Sequence, residues 1–216
     1  MIGVVIPAHN EETLLPYCLA SVIAAARHPQ LTEPVQILLV LDSCTDGSAQ
    51  VARQMGIQTL ATEGRNVGEA RCAGAAALIA AGARWLAFTD ADTVVSPQWL
   101  IRQLAFQVDA VCGTVSVDSW QEHSPQVQAR YEHLYQAVEG HRHIHGANLG
   151  VCSIAYQRAG GFRPLPAHED VHLVRDLERA GARIVWTATN SVITSARKHS
   201  RCREGFADYL LSLAMA

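Results

Sequence analysis

Short apolar runs alternate with amphipathic segments along the first hundred residues of the chain. The apolar runs, which β-branched residues enrich, are typical of strands buried on both faces of a sheet. They lie at residues 2–6, 35–41, 57–60 and 85–88. Helices are predicted at residues 13–26, 49–55, 69–81 and from about residue 96. Strands that alternate with helices predict βαβ units, and therefore an α/β fold with a mostly parallel central sheet flanked by helices.

The pattern becomes less regular after about residue 110. Strands are predicted at residues 111–117, 147–156, 183–187 and 191–195, and helices at residues 124–139, 171–180 and 206–216. No linker or internal repeat divides the chain. We therefore predict one domain, residues 1–216, in which a regular half, residues 1–100, is followed by a smaller lobe, residues 101–216.

Composition and charge argue against several classes of protein. The chain has 216 residues, of which 49% are apolar and 17% charged, as in globular domains. The net charge of −3 argues against binding to nucleic acid, and no apolar run is long enough to predict a membrane span. The six cysteines include no CxxC pair, which argues against a zinc ribbon and favours reduced thiols. No signal-peptide pattern is present, so a cytoplasmic location is expected.

Two aspartates, Asp90 and Asp92, directly follow the apolar run at residues 85–88. Ligands of open α/β sheets bind at the carboxyl ends of strands. Two carboxylates separated by one small residue can converge there on Mg²⁺ or Mn²⁺, which substrate phosphates also ligate. The alternative is that these aspartates cap the next helix, but Ser96 followed by Pro97 is the better start for that helix.

Polar residues also follow the other strands of the regular half. Asn10 and Glu11 come after the first strand, where an amide and a carboxylate can reach ribose hydroxyls or a base edge. Asp42 ends the second strand and could accept a hydrogen bond from a base, although it could equally be a turn residue. Arg65 lies in a glycine-flanked loop, where it could contact phosphate or base or remain a solvated surface arginine.

Four sequence blocks, taken together, resemble one family. They are residues 4–12 (VVIPAHNEE), 42–48 (DSCTDGS), 64–68 (GRNVG) and 90–92 (DAD). In this order and spacing they resemble the family 2 glycosyltransferases, which have a GT-A fold with a Rossmann-like sheet, and a looser similarity extends to about residue 180. The resemblance implies transfer of a sugar from a UDP-, GDP- or dTDP-sugar to an acceptor hydroxyl, with Mg²⁺ or Mn²⁺ as cofactor. Residues 1–100 would bind the nucleotide sugar and residues 101–216 the acceptor.

The resemblance, together with the positions of residues after strands, implies roles for particular residues. The expected donor-binding residues are Pro7, Ala8, Asn10, Glu11, Asp42, Arg65, Asp90 and Arg197. The expected metal ligands are Asp92 and His199, because the segment at residues 197–199 is similar to an Arg-x-His segment of some GT-A enzymes. Glu169 and Asp170 match the block that supplies the catalytic base of inverting members. An inverting reaction is favoured, although a retaining member would use Glu169 differently.

Structural alternatives exist for the roles in the second half. The segment at residues 197–199 could be part of a basic surface loop, because two further arginines follow it. Glu169 and Asp170 could simply be the acidic start of a helix, which the helix dipole favours. If residues 141–145 form a strand, then His141, His143 and His145 share one face, where we favour a wall of the acceptor cleft over a zinc site.

Two other functions, and several contacts of the last apolar segment, are possible for such a sequence. A nucleotidyltransferase can share the fold and an acidic metal site, but such enzymes usually carry a glycine-rich basic loop, and residues 7–11 are acidic and lack glycine. A non-catalytic nucleotide-sugar binder is the other alternative, against which the complete set of carboxylates argues. The apolar segment at residues 206–213 could pack on the core, form a homodimer contact or touch a membrane surface.

Overall fold

The computed structural model of the protein describes residues 1–198 and 205–215. The strands in this part of the chain are β1 (Ile2–Ala8), β2 (Val35–Asp42), β3 (Gln58–Thr62), β4 (Trp85–Phe88), β5 (Thr93–Val94), β6 (Ala110–Val117), β7 (Leu149–Cys152) and β8 (Ile184–Thr194). The helices are α1 (Leu15–Ala26), α2 (Ser48–Gln54), α3 (Val67–Ala80), α4 (Trp99–Ala105), α5 (Pro125–Leu134), α6 (Ser153–Arg158), α7 (Glu169–Arg179) and α8 (Phe206–Met215). A 3₁₀ turn, Gly146–Asn148, precedes β7.

One sheet contains all the described strands, in the order β3-β2-β1-β4-β7-β6-β8-β5. The β1, β2, β3 and β4 strands pair in parallel, as the alternation of strands and helices predicts. β7 is antiparallel to both of its neighbours, β4 and β6, and β5 is antiparallel to β8. The α/β fold is therefore confirmed, but the sheet is mixed, because the second half adds antiparallel strands to the parallel first half.

Helices cover both faces of the sheet, and each face has its own apolar core. On one face, side chains of α1, α4, α5 and α8 pack with inward residues of the sheet, and Trp99 is the largest side chain that is fully buried there. On the other face, α3, α6 and α7 cover a cluster centred on Phe88. Burial on both faces explains why the sequence of β1 reads as a continuous apolar run.

The α3 helix shows how local sequence sets an element that borders the cleft. Asn66 is its N-cap, and its side-chain oxygen accepts a hydrogen bond from the backbone N–H of Glu69 at 2.9 Å. Small residues follow at helical spacing, so the helix lies close against β1 and β2. A Cβ atom at Gly74 would lie 2.6 Å from Cγ1 of Val5. The position of the amino end of α3 is thus fixed by its cap and by close packing.

The second half departs from the sequence-based prediction in several places. The run at residues 147–156 is a turn, β7 and α6 rather than one strand, because a short apolar run does not distinguish a buried strand from a buried helix. The helix predicted to reach residue 139 ends at Leu134, and the two strands predicted within residues 183–195 are the single strand β8. The α4 helix begins at Trp99, two residues beyond the predicted start at Ser96 and Pro97.

Two further properties concern the described part of the chain. No helix within residues 1–198 and 205–215 is long and apolar enough to cross a membrane. The cysteines of the same residues, Cys18, Cys44, Cys72, Cys112 and Cys152, all have free thiols.

Candidate active site

A cleft of about 600 Å³ opens at the carboxyl ends of β1, β2 and β4 and extends to the start of α7. This is where ligands bind in open α/β sheets, and the volume is within the range of small-molecule sites. The cleft brings together ten of the predicted site residues, which are Pro7, Ala8, Glu11, Asp42, Arg65, Asp90, Asp92, Glu169, Asp170 and Arg197. Asn10 does not line the cavity, and its side-chain oxygen accepts a hydrogen bond from the backbone N–H of Thr45 at 2.7 Å. His199 lies outside the described residues.

The carboxylate of Asp42 holds the loop that carries Arg65. Its two oxygens accept hydrogen bonds from the backbone N–H groups of Arg65, at 2.9 Å, and Asn66, at 2.7 Å. Asp42 is 4% exposed, and charge-assisted bonds of this kind are the stronger hydrogen bonds of proteins. Asp42 is therefore a loop-positioning residue that also faces the cleft.

His9 connects the ends of β1 and β2 on the same side of the cleft. Its Nδ1 lies 2.7 Å from the backbone oxygen of Asp42, so the proton of the neutral ring resides on Nδ1. Nε2 is then an acceptor and lies 3.4 Å from the Arg65 guanidinium. The imidazole thus offers the exposed Arg65 guanidinium a long hydrogen bond at the edge of the cleft.

A buried guanidinium, that of Arg71 on α3, bridges two carboxylates at the centre of the cleft. It donates to Oδ1 of Asp90 at 2.5 Å and to Oε1 of Glu169, while its Cζ lies 5.6 Å from the centre of the Phe162 ring. Arg71 is only 3% exposed. Gly146 leaves room for it, because a Cβ atom there would lie 2.4 Å from the guanidinium. Residues from three distant parts of the sequence are thereby joined through one side chain.

A second guanidinium, that of Arg197, neutralises carboxylates that follow β1 and β4. It forms two hydrogen bonds with Glu11, at 2.7 and 2.8 Å, and an ion pair with Asp92 at 3.1 Å. Burial raises the pKa of the Asp92 carboxyl to about 7, an effect that Arg197 opposes and that Asp90 and Glu11 increase. A cation is therefore strongly favoured beside Asp92 when this carboxyl is ionised.

The oxygen ligands near Asp92 fit a hard divalent cation. Within residues 1–198 and 205–215, no three histidine, cysteine or acidic side chains form a group that could hold a metal ion by itself. Mg²⁺ is commonly bound by one or two carboxylates plus substrate phosphates, with water completing its octahedron. Asp90 and Asp92 fit that mode of binding, in which a diphosphate supplies further oxygens.

The adjacent carboxylates of Glu169 and Asp170 differ in their surroundings. Glu169 is buried and paired with Arg71, and burial raises its pKa. Asp170 is half-buried, and its oxygens accept hydrogen bonds from the backbone N–H groups of Gly146 and Val171, both at 2.7 Å. Because Asp170 is more exposed than Glu169 and is not paired with a cation, its carboxylate is the more accessible of the two to a bound hydroxyl.

The three predicted wall histidines lie in a loop rather than on a strand. Their rings nevertheless stack, with centroids 5.4 Å apart for His141 and His143 and 6.3 Å for His143 and His145. The Tyr135 ring stacks on His143 at 4.1 Å. His143 and His145 line the cleft, whereas His141 is buried behind them.

Sequence reasoning missed His9 and Arg71. A signal for Arg71 exists, because it occupies the face of α3 that Gly74, Ala75 and Leu78 also occupy at helical spacing. A single charged residue on such a face has to find a buried partner. His9 carries no comparable signal, since a histidine in a loop is usually exposed.

Solved structures with a similar fold include two glycosyltransferases. One is S. aureus TarS, residues 1–349, in complex with UDP-GlcNAc, which superposes with a TM-score of 0.70 at 15% identity over 99% of this chain and 65% of that chain. The other is the mannosyltransferase PcManGT from Pyrobaculum calidifontis in complex with GDP-Man and Mn²⁺, with a TM-score of 0.71 at 17% identity over 93% of this chain and 58% of that chain. This protein therefore spans less than two thirds of the length of either one. At such identities the likeness shows the fold, which is of the GT-A type.

Sequence comparison assigns the family. No curated protein matches the chain significantly. The model of the family described as glycosyl transferase family 2 matches residues 3–161, which include β1 to β4, the Asp90–Asp92 pair and Arg71. Since this match covers well over half of the sequence, the chain belongs to glycosyl transferase family 2.

Proposed function

We propose that the protein transfers a sugar from a nucleotide-diphosphate sugar to an acceptor hydroxyl, in a metal-dependent and inverting reaction. The observation that carries this proposal is the single cleft into which the residues at three strand ends and the start of α7 converge. Family membership and the two nucleotide-sugar complexes of the same fold support it.

The donor nucleotide is expected at the ends of β1 and β2. Pro7 and Ala8 supply a narrow apolar wall there, and Arg65 supplies the charge for a phosphate or an acceptor edge of the base. Asp42 holds the Arg65 loop, so its loss would disturb the nucleotide site even without direct contact.

The metal ion is expected at Asp92, with His199 as a further ligand. Mg²⁺ or Mn²⁺ at this place would offset the charge of the departing nucleoside diphosphate. Arg197 neutralises Asp92 and Glu11 and therefore limits the repulsion between these carboxylates and an approaching diphosphate. Asp90, which is held by the Arg71 guanidinium, lines the same cleft.

Asp170 is the proposed base of an inverting reaction. A single displacement needs one carboxylate that removes the proton of the acceptor hydroxyl. Asp170 has two neutral hydrogen-bond donors, whereas Glu169 is bound to the Arg71 guanidinium. We therefore assign proton transfer to Asp170 and the positioning of Arg71 and Asp90 to Glu169.

Donor binding tests the first part of the proposal. Thermal denaturation is measured with UDP-GlcNAc, GDP-mannose and a dTDP-sugar, each with and without Mn²⁺. We expect one nucleotide class to raise the melting temperature, and more so with Mn²⁺, because a ligand that binds only the native state stabilises it by mass action. No shift with any donor would contradict the proposal. Binding without transfer to any of a panel of sugars and polyols would favour a non-catalytic binder.

Matched variants test the assigned roles. Asp170→Asn should lower turnover by roughly 10²–10⁴-fold, the usual contribution of a general base, while donor affinity stays near that of the parent. Glu169→Gln is the control, and its main effect should be on stability. Asp92→Asn should remove the Mn²⁺-dependent part of donor binding. Parent turnover in Asp170→Asn, or full Mn²⁺ stimulation in Asp92→Asn, would refute the respective role, and the anomeric configuration of the product decides between inversion and retention.

A further inference from the structure

A chain of hydrogen bonds leads from β6 to the wall of the cleft. The backbone N–H of Val115 donates to the Tyr135 hydroxyl oxygen at 3.0 Å, and this oxygen lies 2.8 Å from Nε2 of His145. Tyr135 is 8% exposed, so its hydroxyl hydrogen needs an acceptor inside the protein. Nε2 is that acceptor. If Nε2 carried the proton instead, a buried hydroxyl donor would be left unsatisfied, which is costly.

The proton of the neutral His145 ring therefore resides on Nδ1. A ring nitrogen that accepts a hydrogen bond is unprotonated, and neutral imidazole carries its single proton on the other nitrogen. Within residues 1–198 and 205–215, Nδ1 has no hydrogen-bond partner, although the partly exposed ring lines the cleft. This nitrogen is thus a donor available to a bound molecule.

The ring is held neutral and in one position by its neighbours. Burial, together with the nearby His143 and His141, lowers the pKa of His145 to about 3, whereas Asp90 acts in the opposite direction. The Tyr135 ring lies 5.7 Å away and the edge of Phe206 packs at 6.4 Å. His145 can therefore offer a neutral N–H donor without bringing positive charge into the cleft.

The position of this donor is tied to that of the proposed base. The residue after His145 is Gly146, whose backbone N–H donates to Oδ2 of Asp170 at 2.7 Å. Asp90 and Asp170 both line this part of the cleft, and the charge of Arg71 is already matched by Asp90 and Glu169. An anionic group placed here would be repelled by Asp170, whereas a hydroxyl can donate to Asp170 and accept from an imidazole N–H.

We propose that His145 is a specificity-determining residue, whose Nδ1–H binds a hydroxyl oxygen of a neutral sugar or polyol acceptor beside Asp170. The inference rests on the proposed transferase function, since it names the class of acceptor for that site. It excludes acceptors that present a phosphate or carboxylate at this position.

The tautomer is tested without any substrate. Long-range ¹H–¹⁵N correlation spectra of the ¹⁵N-histidine-labelled protein report which ring nitrogen carries the proton, and the signals missing from His145→Asn identify His145. We expect the Nδ1–H form throughout pH 6 to 8. An Nε2–H form, or a charged ring in that range, would overturn the inference.

The role in specificity is tested with the donor that the panel identifies. Methyl α-mannoside and mannose 6-phosphate serve as a neutral and an anionic acceptor, together with glycerol and glycerol 3-phosphate. We expect transfer to the neutral member of each pair, and His145→Phe should raise the acceptor KM by about tenfold or more, the usual effect of losing one hydrogen bond, with the donor Kd unchanged. His145→Asn, which can place an amide N–H near the Nδ1 position, should recover part of the loss.

Two outcomes separate this inference from the proposed function. Preference for the phosphorylated acceptors, or an unchanged acceptor KM in folded His145→Phe, would contradict the inference while leaving the transferase assignment intact. Absence of donor binding and transfer in the parent protein would contradict the proposed function itself.

Discussion

The Arg71 bridge predicts a large and pH-dependent loss of stability in Arg71→Met. Methionine has a similar length but no charge, so the substitution leaves the carboxylates of Asp90 and Glu169 without their counterion. Glu169 is 6% exposed, and removal of one partner from a buried ion pair costs about 3–5 kcal/mol. For a domain of this size that loss corresponds to a fall in Tm of roughly 6–20 °C.

The pKa of Glu169 determines in which direction pH changes the stability of Arg71→Met. Burial already raises its pKa in the parent, and loss of the guanidinium raises it further. Between the unfolded value, about 4.3, and the raised native value, the native state binds more protons than the unfolded state, so stability falls as the pH rises. The deficit of Arg71→Met relative to the parent should thus be largest at pH 7 and above and should shrink toward pH 5.

Chemical denaturation at pH 5, 6, 7 and 8 measures this deficit. Arg84→Met is the matched control, because Arg84 pairs with Glu33 on the surface with 56% of its side chain exposed, and such pairs contribute below about 1 kcal/mol. Adding Glu169→Gln to Arg71→Met should recover stability, since it removes one unpaired charge. A deficit no larger than that of Arg84→Met, or one that is constant from pH 5 to 8, would refute the reasoning.

Two more predictions concern carboxylates that bind backbone or surface groups. Asp42→Asn should weaken binding of the nucleoside diphosphate by roughly 1–3 kcal/mol, because its amide cannot accept from both N–H groups of the Arg65 loop; unchanged affinity by calorimetry would show that this loop does not shape the nucleotide site. The hydrogen bond from Arg84 lowers the pKa of Glu33 to about 2, so its contribution to stability is present above about pH 4.3 and is lost as the pH falls toward 2. Glu33→Gln should flatten acid unfolding in that range, and an unaltered acid transition would contradict the pairing.

The regular half of the fold is predictable because its apolar strand segments and the polar residues that follow them are local features of the sequence. The β1 and β4 strands are continuous apolar runs and β2 is apolar from Ile37 to Leu41, and the polar residues that follow these strands necessarily lie at one edge of a parallel sheet. This argument identified the positions of Asp42, Asp90 and Asp92 on the cleft without any knowledge of their partners.

The less regular half is harder to predict because its elements depend on distant contacts. The β7 strand has only four residues, continues directly into α6 and owes its place to antiparallel pairing with both β4 and β6. The two-residue β5 has no periodicity to detect, and its pairing with β8 joins residues about a hundred positions apart. Tertiary context determines such elements, and a single apolar run does not encode it.

The ion pairs and hydrogen bonds of the carboxylates in the cleft could not be predicted from the sequence either. Glu169 and Asp170 are chemically similar neighbours, and only the approach of Arg71 from α3 and of the Gly146 backbone N–H makes one an ion-pair partner and the other an acceptor of neutral hydrogen bonds. Arg197 was expected to bind the donor, whereas in this structure it binds Glu11 and Asp92. Each of these contacts spans more than twenty residues of sequence, so spacing within a motif carries no information about it.

The loops around the cleft contain four residues with an unusual backbone conformation. Asn10, Ser43, Arg65 and His168 all have positive φ, between 45° and 59°, a region that residues other than glycine rarely adopt. Such conformations persist where surrounding contacts over-determine them, and they cluster at functional sites. The bonds from Thr45 N–H to Asn10, and from Arg65 N–H to Asp42, are contacts of that kind. The loops at the ends of β1 and β2 are accordingly held by the chain's own hydrogen bonds, so a ligand would bind there at little cost in loop ordering.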